Sequence, residues 1–134
     1  MVRDGVAGWI RLGMRDFKRL EVWRRAHALA IAIDEISADF RRSRHGHLRS
    51  QLTRAADSIA ANIAEGCGSQ TKRELARYLD IAIKSATETE NHLIKARDLG
   101  LISHADWLRY SNETIEIRKM AYAYRKRVLQ SDKA

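Results

Sequence analysis

"SIAANIAEGCGSQTKRE", residues 58–74, decides how this chain folds. It opens as small and branched apolar residues at helical spacing, with Asn62 and Glu65 in the last turn. Gly66 and Gly68 interrupt it, glycine being the residue that enters a left-handed cap without steric penalty. Thr71 to Glu74 then reads as a capping box, an N-cap hydroxyl with a glutamate three residues on, so a second helix begins there. Three residues sit against the helix dipoles. Glu65 faces the negative end of the first helix, at a cost of roughly 0.3–1 kcal/mol, and asks for a cation. Lys72 and Arg73 sit at the positive end of the second and ask for an anion.

The same period extends outward from this corner. Val22, Ala26, Leu29, Ile33, Ile36 and Phe40 are three and four apart, which predicts a helix over Leu20–Phe40. "RRSRHGHLRS", residues 41–50, follows with Gly46 as its break. Leu48, Leu52, Ala55, Ile59 and Ile63 carry the second helix to Glu65. The third holds Leu75, Leu79, Ala82, Ala86, Thr89, Leu93 and Ala96 and ends at Gly100. Ser103 caps the fourth, with Trp107, Tyr110, Thr114, Ile117, Ala121, Tyr124 and Val128 on one face. Short loops between long helices predict an all-α, antiparallel up-down-up-down four-helix bundle over residues 14–130, roughly 27–40 Å long. Residues 1–13 read as a flexible extension, with Met14 a candidate translation start, and 131–134 as a flexible tail.

Composition agrees with this layout. The 134 residues suit one domain and contain no proline, which costs about 3 kcal/mol inside a helix. The lone Cys67 excludes an internal disulfide and points to a reducing cytoplasm. No apolar run approaches the roughly 20 residues of a membrane span. A formal charge of +8 and a pI near 10.1 predict attraction to polyanions.

Bundle connectivity sorts that charge by end. One end collects Arg41, Arg42, Arg44, Arg49, His45 and His47. The other is denser, with Lys18, Arg19, Arg24 and Arg25 from helix 1, Lys72, Arg73 and Arg77 from helix 3, and Arg125, Lys126 and Arg127 from helix 4. These ten are the candidate nucleic-acid-binding residues. Glu65 is expected to clasp an arginine at this end, Asn62 to satisfy loop backbone groups, and Gly66 to complete that structural corner. On helix 1, Ala28, Ile31 and Ala32 leave a second apolar face opposite the core, the expected subunit interface of a homo-oligomer.

Chemistry is sparse. Gly66-x-Gly68 follows a helix rather than a strand and lacks the Gly-Lys-Ser/Thr order of a phosphate loop. His45 and His47 lie about 30 Å from Cys67 by the helical rise, too far to share a metal. His27 and His92 suit packing or hydrogen bonding. Cys67, in a glycine-flanked turn, reads as exposed and somewhat acidic but lacks a base. No catalytic residues, cofactor or metal are expected, and no enzyme.

"FKRLEVWRRAHALA" (17–30), "QLTRAADSIAANIAEGCGSQTKRELARYLDIAIKSATETENHL" (51–93) and "KARDLGLI" (95–102) resemble the bacterial four-helix-bundle proteins of the 23S rRNA intervening sequence. Asn62-Ile63-Ala64-Glu65-Gly66 is the most specific piece of the match. A looser resemblance extends to the accessory variability protein of diversity-generating retroelements. The resemblance implies a non-enzymatic, cytosolic homopentamer with a basic surface and, in the retroelement branch, binding to nucleic acid and a reverse transcriptase. Ala60 stands where members often have proline, which implies a continuous second helix. The expected function is RNA or DNA binding through phosphates; the alternative is a scaffold for an acidic protein partner such as a polymerase or nuclease.

Overall fold

Apolar residues spaced three and four apart become one buried stripe on each of four helices. The computed structural model describes residues 16–42 and 44–131; the expected 1–13 extension, Met14 and residues 132–134 lie outside them. Helix α1 spans Glu21–Ile36, α2 Gly46–Cys67, α3 Lys72–Asp98 and α4 His104–Gln130, and no strand occurs among the described residues. Two 3-10 turns, Phe17–Arg19 and Ala38–Arg41, flank α1. Each helix packs on its chain neighbours, and α1 also meets α4, so the four enclose one core.

Contacts between α3 and α4 step in opposite directions along the two helices. The Arg97 guanidinium lies over the Trp107 ring at 4.3 Å, Arg118 Nε donates to Glu90 Oε2 at 2.8 Å, and Arg125 Nε stands 2.8 Å from Asp80 Oδ1. Side chains such as Ile33, Leu52, Ile59, Leu79, Leu93 and Ile117 are fully buried between the helices, each stabilising by roughly 1.5–3 kcal/mol. Helices α2 and α3 bury many alanines (Ala55, Ala56, Ala60, Ala76, Ala82, Ala86), small side chains that let neighbouring helices lie close. α2 runs unbroken through Ala60.

The helix ends depart from the sequence reading at three places. α1 stops at Ile36 rather than Phe40. Buried Ser37 turns its hydroxyl onto the Asp34 carbonyl at 3.3 Å, and the chain tightens into the 3-10 turn that places Phe40 in the core. The break before α2 falls on Arg44, whose φ is 69°, while Gly46 is already helical. Finally, Gly66 does not stop α2. The helix continues to Cys67 and is capped by Gly68 at an ordinary φ of −85°.

Gly66 serves close packing instead. A Cβ there would fall 2.8 Å from Leu75 Cδ1 and 2.9 Å from Tyr78 Cβ, so α3 rests directly on the α2 backbone. The left-handed glycine is Gly100, at φ 74°. Its N–H donates to the Arg97 carbonyl and Leu101 N–H to the Ala96 carbonyl, both at 2.9 Å, a Schellman closure of α3.

Asn62 also differs from expectation. Its Nδ2 donates back along α2 to the Ser58 carbonyl and to Ser58 Oγ, both at 2.8 Å, and Ser85 Oγ of α3 donates to Ser58 Oγ at 2.9 Å. The trio satisfies polar groups in the α2–α3 interface and leaves the loop backbone alone. Glu65 is exposed and its carboxylate has no hydrogen bond or ion pair among the described residues, so no clasp forms among them.

Candidate nucleic-acid interface

The first turns of α1 and α3 meet the last turns of α2 and α4 at one pole. Thr71 Oγ1 accepts the Glu74 N–H at 3.0 Å and starts α3 just beyond the Gly66 contact. The Asp16 carboxylate, before α1, is near enough to Cys67 to perturb its thiol, and Cys67 in turn perturbs Tyr124 of α4.

Between α3 and α4 the pole opens into a cleft lined by Thr71, Arg73, Glu74, Arg77, Asp80, Arg125 and Leu129. Arg73 and Arg77 are one turn apart on α3 and exposed. Arg77 lies over the Tyr78 ring at 4.5 Å, which orients its guanidinium. Arg125 reaches the same cleft from α4 but shares its charge with Asp80; its Nε–H is not aimed at the oxygen, so this is an ion pair without a directed hydrogen bond. Lys126 and Arg127 are exposed beside it, with Arg127 5.5 Å from the Tyr124 ring. Lys72 begins α3 at the same end and is half-buried.

Lys18, Arg19 and Arg24 occupy the α1 side of the pole and are exposed. Arg24 Nη1 donates to the Lys18 carbonyl at 3.0 Å, tying the 3-10 turn to α1. Arg25 is different. Its Nε and Nη2 donate to the two Glu113 carboxylate oxygens at 2.9 and 2.6 Å, and its Nη1 faces Met120 Sδ at 3.4 Å. That bidentate pair raises the guanidinium pKa and turns Arg25 into a tie between α1 and α4. At the opposite end Arg49 is similarly taken up, bonding Asp34 Oδ1 at 3.0 Å.

Three aromatic rings at the pole were not anticipated. Phe17 meets Trp23 edge-on at 4.9 Å between centroids, and Trp23 stacks on exposed His27 at 4.8 Å with planes 11° apart. The signal was present in the sequence as Trp23 and His27 four apart on one helix face. Beside Lys18 and Arg24 this stack offers a surface on which a base could stack. His27 is therefore a surface ring rather than a core one. His92 is buried, with Nε2 3.2 Å from Glu88 Oε2.

Cys67 reverses the expected chemistry. It is the last residue of α2 and only 3% exposed, and burial pushes its thiol up to about 11, with a smaller push from Asp16. Such a thiol is neutral and inert near neutral pH. Among the described residues no group of three or more His, Cys, Asp or Glu is arranged to hold a metal ion, and no helix is long and apolar enough to cross a membrane. The expected interface residues lie on the outer side of α1, with Ala28 and Ile31 exposed and Ala32 half-buried.

Comparison with known proteins bears on the whole bundle. A crystal structure of a protein of unknown function from the S23 ribosomal protein family of Bacteroides thetaiotaomicron superposes with a TM-score of 0.73 at 25% identity. The alignment covers 78% of this chain and 95% of that one. No curated protein matches the chain. The model of the 23S rRNA-intervening sequence protein family matches residues 18–123, from the polar 3-10 turn to the last turns of α4, and the chain belongs to that family.

Proposed function

We propose that this chain is a non-enzymatic, basic, homo-oligomeric protein that binds RNA or DNA through phosphate contacts at the pole. The observation that carries the reading is the convergence of Arg73, Arg77 and Arg125 on one cleft, with exposed Lys126, Arg127, Lys18, Arg19 and Arg24 around it. Arginine presents a fixed fork of donors suited to phosphate oxygens. The Phe17–Trp23–His27 stack adds a place for an unpaired base, which favours single-stranded or looped nucleic acid over a uniform duplex. The family's name associates it with ribosomal RNA genes, in keeping with this class of partner.

The same proposal takes the opposed stepping of contacts along α3 and α4 as an antiparallel up-down-up-down bundle, five copies of which assemble in the cytoplasm. A free, buried Cys67 suits a reducing compartment. A second reading draws on Leu129, which shares the cleft with the arginines. An apolar side chain among cations also suits an acidic protein surface, such as that of a polymerase or nuclease.

Filter binding of labelled RNA and DNA across salt decides between them. Phosphate recognition gives affinity falling linearly on a log–log plot, by about 0.9 per neutralised phosphate for duplex and 0.7 for single strands. Arg73→Ala/Arg77→Ala is expected to lower that slope by about 1–2. No affinity for any nucleic acid at low salt refutes the proposal.

A further inference from the structure

α4 carries apolar residues that the core does not use. Leu108, Ile115, Tyr122 and Leu129 recur every seven residues, whereas the buried positions of α4 are Ser111, Thr114, Ile117, Ala121, Tyr124 and Val128. Tyr122, at 58%, is the most exposed large apolar side chain among the described residues; Leu108 and Leu129 are also exposed. Residues seven apart fall on one face of a helix, so the four form an apolar seam along α4. Around Tyr122 the seam is lined by Ile83, Arg118 and Lys119, two cations and no carboxylate. Arg118 is partly compensated by Glu90; Lys119 is held only loosely, 3.7 Å from Glu116.

The complementary surface is on the same chain. Ile31, 49% exposed, stands in a hollow between α1 and α2 with His27, Ala30, Asp34, Glu35 and Asp57; Arg49 already pairs with Asp34, while Glu35 and Asp57 have no cationic partner among the described residues. Burial and the nearby Asp34 charge raise Asp57 above its ordinary value, as befits a carboxylate short of a cation. One hollow lies between α1 and α2 and the other between α3 and α4.

We propose that copies of this chain associate head to tail, the Leu108, Ile115 and Tyr122 part of the α4 seam on one copy seated against the Ile31 face of α1 on the next, with Leu129 left to the arginine cleft. This rests on the self-association proposed above and adds which two surfaces meet. Pairing α4 with α4 would oppose Lys119 to its own kind, and pairing α1 with α1 would oppose carboxylates. Only the mixed contact joins an apolar centre to an apolar centre and a basic rim to an acidic one. A contact of this type closes into a ring, or extends as a filament if the rotation does not close.

Two full-length variants test it, Ile31→Asp and Tyr122→Asp, with circular dichroism to verify helix content and light scattering after gel filtration to give mass. Wild type is expected as a multimer, and each variant alone as a monomer. The equimolar mixture is expected as a two-chain species and nothing larger, because it contains one intact face, one intact seam and one Asp–Asp pair. A mixture that stays monomeric, or a single variant with wild-type mass, overturns the assignment of faces while leaving self-association standing. A monomeric wild type overturns both. If an aspartate variant loses helix content, Lys119→Glu and Glu35→Lys replace the pair: each alone is expected to weaken assembly at least tenfold, and both in one chain to restore it. Failure to restore overturns the proposal.

Discussion

Gly66→Ala puts the α2–α3 corner to a quantitative test. Gly66 is helical and buried, so propensity alone favours the substitution by up to about 1 kcal/mol, and by less in the last turn. Sterics oppose it. The new methyl would stand 2.8 Å from Leu75 Cδ1 and 2.9 Å from Tyr78 Cβ, where carbon contacts are optimal near 3.5–4.0 Å. Leu75 is fully buried and can swing its methyl only into packed core. Tyr78 Cβ is fixed to the α3 backbone, so α3 itself has to back away. Overpacking of this kind costs about 1–3 kcal/mol, which outweighs the propensity gain and leaves a net loss of about 1–2 kcal/mol. For a chain of this size that lowers Tm by roughly 3–10 °C. Urea and thermal unfolding followed by circular dichroism measure it, at one fixed protein concentration because association makes apparent stability concentration-dependent. Gly68→Ala is the control. Its nearest neighbour is the Glu65 carbonyl at 3.4 Å and its φ is ordinary, so the change is expected to be neutral or stabilising by up to about 1 kcal/mol. A Gly66→Ala protein as stable as wild type, or a Gly68→Ala protein harmed more, refutes the close-packed corner.

Two further predictions follow from the pole. Burial raises both the Cys67 thiol, from 9.0 to about 11, and the Tyr124 phenol, so both favour the protonated form in the fold. Stability from Cys67 is then complete below about pH 9 and is lost as pH rises through 11, by about 2–3 kcal/mol; urea midpoints that stay flat from pH 8 to 11 would contradict this. Arg25→Ala is expected to leave nucleic-acid affinity and its salt slope unchanged, because Glu113 already holds the guanidinium, and to cost stability of about 1 kcal/mol for a half-buried pair still reached by solvent. A lowered salt slope in this variant would return Arg25 to the binding surface.

The helices themselves were legible because burial of one stripe imposes a period that no other structure shares. Their partners were less so. Periodicity marks Gly66 as a weak helix former but carries no record of what lies across the interface, so a packing glycine reads as a terminator. Cys67 reads as exposed for the same reason: two more helical residues, Gly66 and Cys67 itself, move it from a turn to a buried position near Tyr124. Phe40 kept its apolar role although its helix ended early, because the core accepts the side chain from a 3-10 turn as well as from an α-helix.

The charge followed a rule that connectivity alone does not give. Carboxylates in the bodies of the helices, Glu113, Glu90 and Asp80, reach across to Arg25, Arg118 and Arg125, and these pairs bind helix to helix. Cations of the terminal turns project past this acidic belt. Arg19, Arg73 and Lys126 have no carboxylate partner among the described residues, and Arg77 and Arg127 rest on tyrosine rings instead. Polar charge is therefore what the bundle's own ion pairing leaves over. Position along the helix, more than the number of arginines, decides which of them can meet a polyanion, and Arg25, only one turn inside α1, has already crossed that line.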